Sequence, residues 1–331
     1  MKLRTLLLGF VFGSLFFPLL SCSQKHDAEE KYFLITTNNK IPYWQNAGAG
    51  FSQAGQLLVV PTVFSGPDSY DPQAQRQAFR EAIQKKATGI LVSVADPNVM
   101  NDEIDQAIQQ GVPVITLDSD APSSKRLFFI GTNNYQAGFM GGQRLAHDLK
   151  NKGNVVVFSI PAQPNLNERL RGYQDALASS PGIKIVRVVD VHGDPIVAFD
   201  TTTQILGGDK KQRIDGFVCL EALACKEVAT VLSNNGIKDR VVIAMDTDAD
   251  TLDWIRKGTI SATISQKPYT MAYVGLKMLD DLHHHKLEKL NYDWARDSFA
   301  PIPAFVDTGS AVVDNSNLEA FVAATKSAVK K

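Results

Sequence analysis

From residue 32 onward, short runs rich in β-branched residues alternate with longer amphipathic stretches, and this alternation restricts the chain to parallel sheets wrapped by helices. The runs fall into two sets: residues 32–36, 57–62, 89–94, 113–117 and 128–130, then 155–159, 184–189, 216–219, 241–245 and 262–264. Most are apolar nearly throughout, as a strand must be when helices cover both faces of its sheet. The stretches between them read as helices. Residues 73–86 place Ala74, Ala78, Phe79, Ala82 and Ile83 at helical spacing, behind Asp71 and a first-turn Pro72. Asp96-Pro97 opens the next helix in the same way. Two such sets in a chain of 331 residues predict an α/β fold of two doubly wound parallel-sheet lobes. Ligands of such sheets bind beyond the carboxyl ends of the strands, so two facing lobes make a cleft lined by the loops that follow the strands.

The N-terminus carries Lys2 and Arg4, an apolar run over residues 6–20, and then Leu19-Leu20-Ser21-Cys22 before polar residues. This is the pattern of an export leader, too short for the ~20 apolar residues of a spanning helix. The Leu-Leu-Ser-Cys string resembles a bacterial lipobox, which implies a leader over residues 1–22, Cys22 as the acylated anchor, and a place in the cell envelope. Cys219 and Cys225 lie six residues apart; an oxidising compartment permits a disulfide between them, but the helix expected between them hinders one and favours two buried free thiols. Apolar residues make up 44% and charged residues 21%, with a net charge of -1, which argues against disorder and against nucleic acid as a partner. No CxxC, HExxH or phosphate-loop motif occurs, so neither zinc nor a cofactor is expected. His283, His284 and His285 end a predicted helix, where adjacent side chains diverge, and are not expected to form a metal site. Asp246, Asp248 and Asp250 have the spacing of a calcium loop but lack its sixth-position glycine and final glutamate. Asp248 reads as a helix cap.

Several strings together carry a family resemblance. They are Gly111-Val112-Pro113-Val114-Ile115-Thr116-Leu117-Asp118, Ile130-Gly131-Thr132-Asn133-Asn134-Tyr135-Gln136-Ala137-Gly138, Glu168-Arg169-Leu170-Arg171-Gly172-Tyr173, Val242-Ile243-Ala244-Met245-Asp246 and Ser261-Ala262-Thr263-Ile264-Ser265-Gln266. By their order and spacing the chain resembles the type I periplasmic sugar-binding proteins, the ribose-binding group in particular, over residues 31–331. The resemblance implies a three-strand hinge, with crossings near residues 131–133, 264–266 and 299–302. One lobe then comprises residues 31–132 and 266–299, the other residues 133–265 and 300–331. It also implies sugar binding without catalysis, by a monomer that delivers its ligand to an ABC transporter permease. Presentation of a sugar or a furanosyl signal to a membrane receptor is the alternative.

A sugar site needs groups that donate to and accept from hydroxyls, and aromatic plates for ring faces. Tyr43 and Trp44, after the first strand, are candidate plates, and Asn38 and Asn39 before them either reach hydroxyls or form a turn. Asp118, Asp246 and Gln266 end strands and match ligand-contacting family positions; a carboxylate there can accept from two adjacent hydroxyls. Arg169 matches a family arginine that forks onto the sugar, with Asn165 and Asn167 beside it. Ser119 stands where the ribose group often has arginine, and Leu220-Glu221 where it has an asparagine-aspartate pair. Glu221 either supplies the missing polar contact or only caps a helix, and both departures point away from ribose.

Overall fold

The computed structural model describes residues 26–208 and 212–329, with side chains as far as residue 325. Cys22 and the leader lie outside these residues. The chain runs β1 (Tyr32–Ile35), α1 (Pro42–Leu58), β2 (Thr62–Ser65), α2 (Pro72–Gln84), β3 (Gly89–Val92), α3 (Pro97–Gln109), β4 (Val114–Leu117) and β5 (Phe129–Gly131). It continues through α4 (Asn134–Asp148), β6 (Lys152–Ser159), α5 (Pro164–Leu177), β7 (Gly182–Asp190), α6 (Pro195–Gly207), β8 (Gly216–Cys219), α7 (Ala224–Asn234), β9 (Val241–Met245), α8 (Ala249–Arg256) and β10 (Ala262–Ser265). The remaining elements are α9 (Pro268–His284), β11 (Phe305–Asp307), β12 (Ala311–Val313) and α10 (Leu318–Val329).

Two six-stranded sheets result, in the orders β11-β5-β4-β3-β1-β2 and β12-β10-β9-β8-β6-β7, parallel throughout except that β12 runs antiparallel to β10. The orders are the same pattern repeated, so β4 of the first lobe corresponds to β9 of the second. Strands β1, β3 and β4 are buried along their whole length, and each sheet has its own apolar core. Helix starts follow from local chemistry. Asp71, Asp96 and Asp248 accept hydrogen bonds from first-turn backbone N–H groups, and prolines follow the first two at a position that needs no donor.

The structure departs from expectation in three places. The apolar run at residues 57–62 is not a strand. Helix α1 extends to Leu58, Val59 closes it in the left-handed region at φ 59°, and β2 begins at Thr62. Leu57 and Val59 are exposed, so this run reports a helix end rather than a buried strand. Second, β11 still pairs with β5 in the first sheet and β12 with β10 in the second, so the last crossing lies between residues 307 and 311, not at 299–302. Third, Cys219 and Cys225 form a disulfide, with Cα atoms 5.6 Å apart. Helix α7 begins only at Ala224, and the turn before it brings the two thiols together, so they are not free.

The segments that pass between the lobes bind one another. Thr308 donates from its backbone N–H to the Gly131 carbonyl at 2.8 Å, and the Thr132 hydroxyl donates to Gln266 Oε1 at 2.8 Å. Asn133 N–H donates to Asp307 at 3.2 Å. These bonds join the crossings into one hinge.

Candidate functional site

The loops that follow β1, β4, β6, β8, β9 and β10 converge on a cavity of about 70 Å³ between the lobes. A water molecule needs ~10–15 Å³ of such space, so the cavity has room for a small ligand. Tyr43, Trp44, Asp118, Arg169, Glu221, Asp246 and Gln266 line it, as do Thr37, Asn38, Tyr70, Gln163 and Asn165.

Asp118 and Asp246 occupy matching positions in the repeated topology. Each follows a strand, and each donates its backbone N–H to the neighbouring strand, Asp118 to Ile130 at 3.0 Å and Asp246 to Ile264 at 2.9 Å. Each also takes a left-handed backbone, at φ 62° and 70°, which costs free energy for a residue with a Cβ. That turn aims the two carboxylates from opposite lobes into one space. Burial raises the Asp118 carboxyl above the usual range, against the lowering effects of Arg169 and of the Tyr43 hydroxyl. Burial likewise pushes Asp246 up to about 7, against the charge of Arg169 and the hydrogen bond from Gln266, with the charges of Asp118 and Asp248 adding to the rise.

Arg169 lies between them on α5, 3% exposed. Its Nε donates to Asn134 Oδ1 at 2.8 Å, Nη1 to the Leu220 carbonyl at 2.7 Å and Nη2 to Gln266 Oε1 at 2.8 Å, while Nη2 is 4.0 Å from Asp118 Oδ1. A planar guanidinium held at three corners keeps its orientation before any ligand arrives. Its backbone is fixed by a close helix crossing: Gly138 of α4 faces the Arg169 carbonyl, and a Cβ on Gly138 would lie 2.0 Å from that oxygen. Gln266, at the hinge, completes the chain by donating to Asp246 Oδ1 at 2.9 Å. The polar groups of both lobes and the hinge therefore form one network, in which a change at any member is felt by the others.

Tyr43 and Trp44 sit in the first turn of α1 with ring centroids 4.9 Å apart and planes at 88°. The Tyr43 hydroxyl donates to Asp118 Oδ1 at 2.6 Å, and burial raises its own pKa well above the usual phenol value. Asn165 Oδ1 is buried in the cavity wall and receives no hydrogen bond among the described residues. An orphaned buried acceptor is costly, and a ligand hydroxyl would satisfy it.

Some expected residues are employed otherwise. Asn39 is outside the lining: its Oδ1 accepts from Thr36 Oγ1 at 2.6 Å and its Nδ2 donates to the Gly66 carbonyl at 2.7 Å, which ties two loops together. Glu221 reaches the cavity wall, but both carboxylate oxygens accept backbone N–H groups, of Leu223 at 2.6 Å and Ala224 at 2.7 Å, at the start of α7. Asn167 donates to the Pro161 carbonyl at 2.9 Å, and Arg171 pairs with Glu168 at the surface. Tyr70 was not legible from its sequence context. Its hydroxyl bonds the Ala95 carbonyl of its own lobe at 2.8 Å, while its ring meets Gly193 of the other lobe, where an added Cβ would lie 2.4 Å from Tyr70 Cβ. This contact closes one side of the cleft.

Two parallel-sheet lobes closed over a buried polar cavity define a ligand-binding protein of the two-lobed kind. The chain belongs to the periplasmic binding protein family, whose domain model matches residues 32–286. The xylose/arabinose-binding protein XylF of Sulfolobus acidocaldarius is 24% identical over 309 residues, covering 88% of this chain and 72% of the relative. The solved arabinose-binding protein AraP of Geobacillus stearothermophilus is 32% identical with a TM-score of 0.73, covering 88% of this chain and 99% of that one. The solved XylFII-LytSN complex holds a chain 27% identical with a TM-score of 0.76, covering 87% of this chain and 98% of that one. Family membership implies work outside the cytoplasm. Among the described residues no helix is long and apolar enough to cross a membrane.

Proposed function

We propose that the chain binds one neutral monosaccharide or related polyol between its lobes and delivers it, by hinge closure, to the permease of an ABC transporter. The observation that carries this reading is the pair Asp118 and Asp246, one from each lobe, flanking the buried and pre-oriented Arg169. Contacts drawn from both lobes favour the closed state only when a ligand bridges them, which is the requirement for ligand-driven closure. The lining carries three carboxylates, Asp118, Glu221 and Asp246, against the guanidinium of Arg169, so sugar phosphates and uronic acids are disfavoured by charge. The arabinose and xylose in the names of AraP and XylF put pentoses first among the candidates.

The same reading places the chain in the cell envelope, anchored by acylated Cys22, as a monomer that makes and breaks no bond. Export and anchoring rest on the leader and lipobox pattern of residues 1–22. A second reading, presentation of the sugar to a membrane receptor, has the XylFII-LytSN complex in its favour, because there a similar chain is joined to another protein. The test is a thermal-shift screen of the exported chain against pentoses, hexoses, polyols and their phosphate esters. A ligand at 100 times its Kd stabilises by ~2.7 kcal/mol, enough to move the midpoint measurably. One neutral sugar raising the midpoint, with its phosphate ester inert, is the expected result. A screen in which only anionic or oligomeric ligands shift the midpoint contradicts the reading.

A further inference from the structure

At the opposite pole of the first lobe, by the amino end of β1, four side chains come together that the cleft does not use. They are His26 and Glu30 from the segment before β1, and Asp280 and His284 one turn apart on α9. One donor atom from each lies within 4.8 Å of all the others. His26 Nε2 is 2.9 Å from Asp280 Oδ1, and His284 Nε2 is 3.5 Å from Glu30 Oε1. We propose that His26, Glu30, Asp280 and His284 form a site for a divalent transition metal, zinc in the first instance.

Three observations besides proximity support this. Glu30 is 4% and Asp280 3% exposed, yet neither forms an ion pair with lysine or arginine among the described residues. Carboxylates so deeply buried are ordinarily paired with a cation or bound to a metal. Glu30 Oε2 is buried without any hydrogen-bond partner among the described residues, an acceptor whose lone pairs are left for something else to satisfy. The supporting contacts are also those that metal ligands use. His284 Nδ1 bonds the Asp280 backbone carbonyl at 2.9 Å, which fixes the ring and leaves Nε2 toward Glu30. The Tyr32 hydroxyl donates to Asp280 Oδ1 at 3.2 Å, and the Asp27 N–H holds Glu30 Oε1 at 2.7 Å. Such outer contacts set the tautomer and direction of metal-binding imidazoles and carboxylates.

Two imidazoles and two carboxylates are a donor set that zinc accepts in tetrahedral geometry, with bonds of ~2.0–2.2 Å and hence donors ~3.3 Å apart. The widest present separation of 4.8 Å requires only side-chain contraction to reach it. His283 Nε2 stands 4.0 Å from Glu30 Oε1 as a neighbour of the set, while His285 is exposed and turned toward Asp281. The histidine triplet is thus not a chelate by itself; it contributes His284 to a site completed by residues distant in sequence. Bound metal would clamp the segment before β1 onto α9, closing a loop of more than 250 residues.

The test uses the exported chain without a histidine tag, stripped with EDTA and titrated with zinc against a chromophoric chelator, then with cobalt as a spectroscopic reporter. The expected result is one zinc per chain at micromolar Kd or tighter, with visible cobalt bands of tetrahedral intensity. His26→Ala and His284→Ala each weaken zinc binding at least ~10-fold, whereas His285→Ala leaves it unchanged. Circular dichroism confirms that each variant is folded. The proposal is overturned by the absence of stoichiometric zinc binding, by binding that survives both His26→Ala and His284→Ala, or by binding that depends on His285. None of these outcomes bears on the sugar cleft, which lies at the other ends of the strands.

Discussion

Replacing Asp118 by asparagine separates what the carboxylate does for the ligand from what it costs the fold. The side chain keeps its shape, so the Tyr43 hydroxyl, 2.6 Å from Oδ1, retains an acceptor. What is lost is charge. A hydrogen bond to a charged group contributes ~1.5–3 kcal/mol net, against ~0.5–1.5 for a neutral one. If one sugar hydroxyl loses that difference, affinity falls about tenfold; if two do, it falls by ~100-fold, since each 1.4 kcal/mol is a factor of ten. Stability should move the other way. Because burial raises the Asp118 carboxyl in the folded protein, the ionised form is penalised there, and a neutral asparagine avoids that penalty at neutral pH. Arg169 keeps its bonds to Asn134, Leu220 and Gln266 and so is not stranded. Isothermal titration with the best sugar, and thermal melting without it, should therefore show weaker binding together with an unchanged or raised midpoint. An affinity within threefold of the parent's, in a folded protein, would refute the role given to Asp118. A midpoint that collapsed would instead show the carboxylate to be a structural group.

Gly193→Asn should reduce affinity at least ~10-fold without destabilising either lobe: asparagine tolerates the glycine's φ of 70°, but its Cβ meets Tyr70 across the cleft and obstructs closure, as small-angle scattering with ligand can check. Gly138→Ala forces α4 from α5 at the Arg169 carbonyl and should cost ~1–3 kcal/mol by denaturant unfolding while also weakening binding. For Asp246 the closed-form pKa of about 7 lies above the ordinary value of 3.8, so the closed protein binds a proton that an opened or unfolded one releases. That contribution is fully present below about pH 4 and lost as pH rises through about 7. The unliganded protein should accordingly melt higher at pH 5 than at pH 8, and Asp246→Asn should flatten the difference.

The architecture is legible because a covered parallel sheet leaves a simple trace, near-continuous apolar runs at regular intervals; the rule that ligands sit beyond strand carboxyl ends, together with the family resemblance, then singles out Asp118, Asp246 and Gln266. Features governed by local exposure were harder. Leu57 and Val59 look like strand residues but are exposed at the end of α1, and β11 lacks a buried pattern because it lies at a sheet edge, so the sequence alone places the last crossing too early. The disulfide depended on where α7 starts, a matter of a few residues. At the site, Asn39 and Glu221 have the right chemistry but spend their polar atoms on their own loops, which only the hydrogen bonds reveal. Tyr70 and Gly193, like His26 and Asp280, are brought together by the packing of segments far apart in the chain, and no local pattern announces such a meeting.

The most direct test is a crystal structure of the protein with the neutral sugar that gives the largest thermal shift. The account predicts one sugar ring enclosed between the lobes, its hydroxyls within hydrogen-bond reach of Asp118, Asp246 and Arg169. A sugar bound outside that cavity, or touching only one lobe, would contradict it.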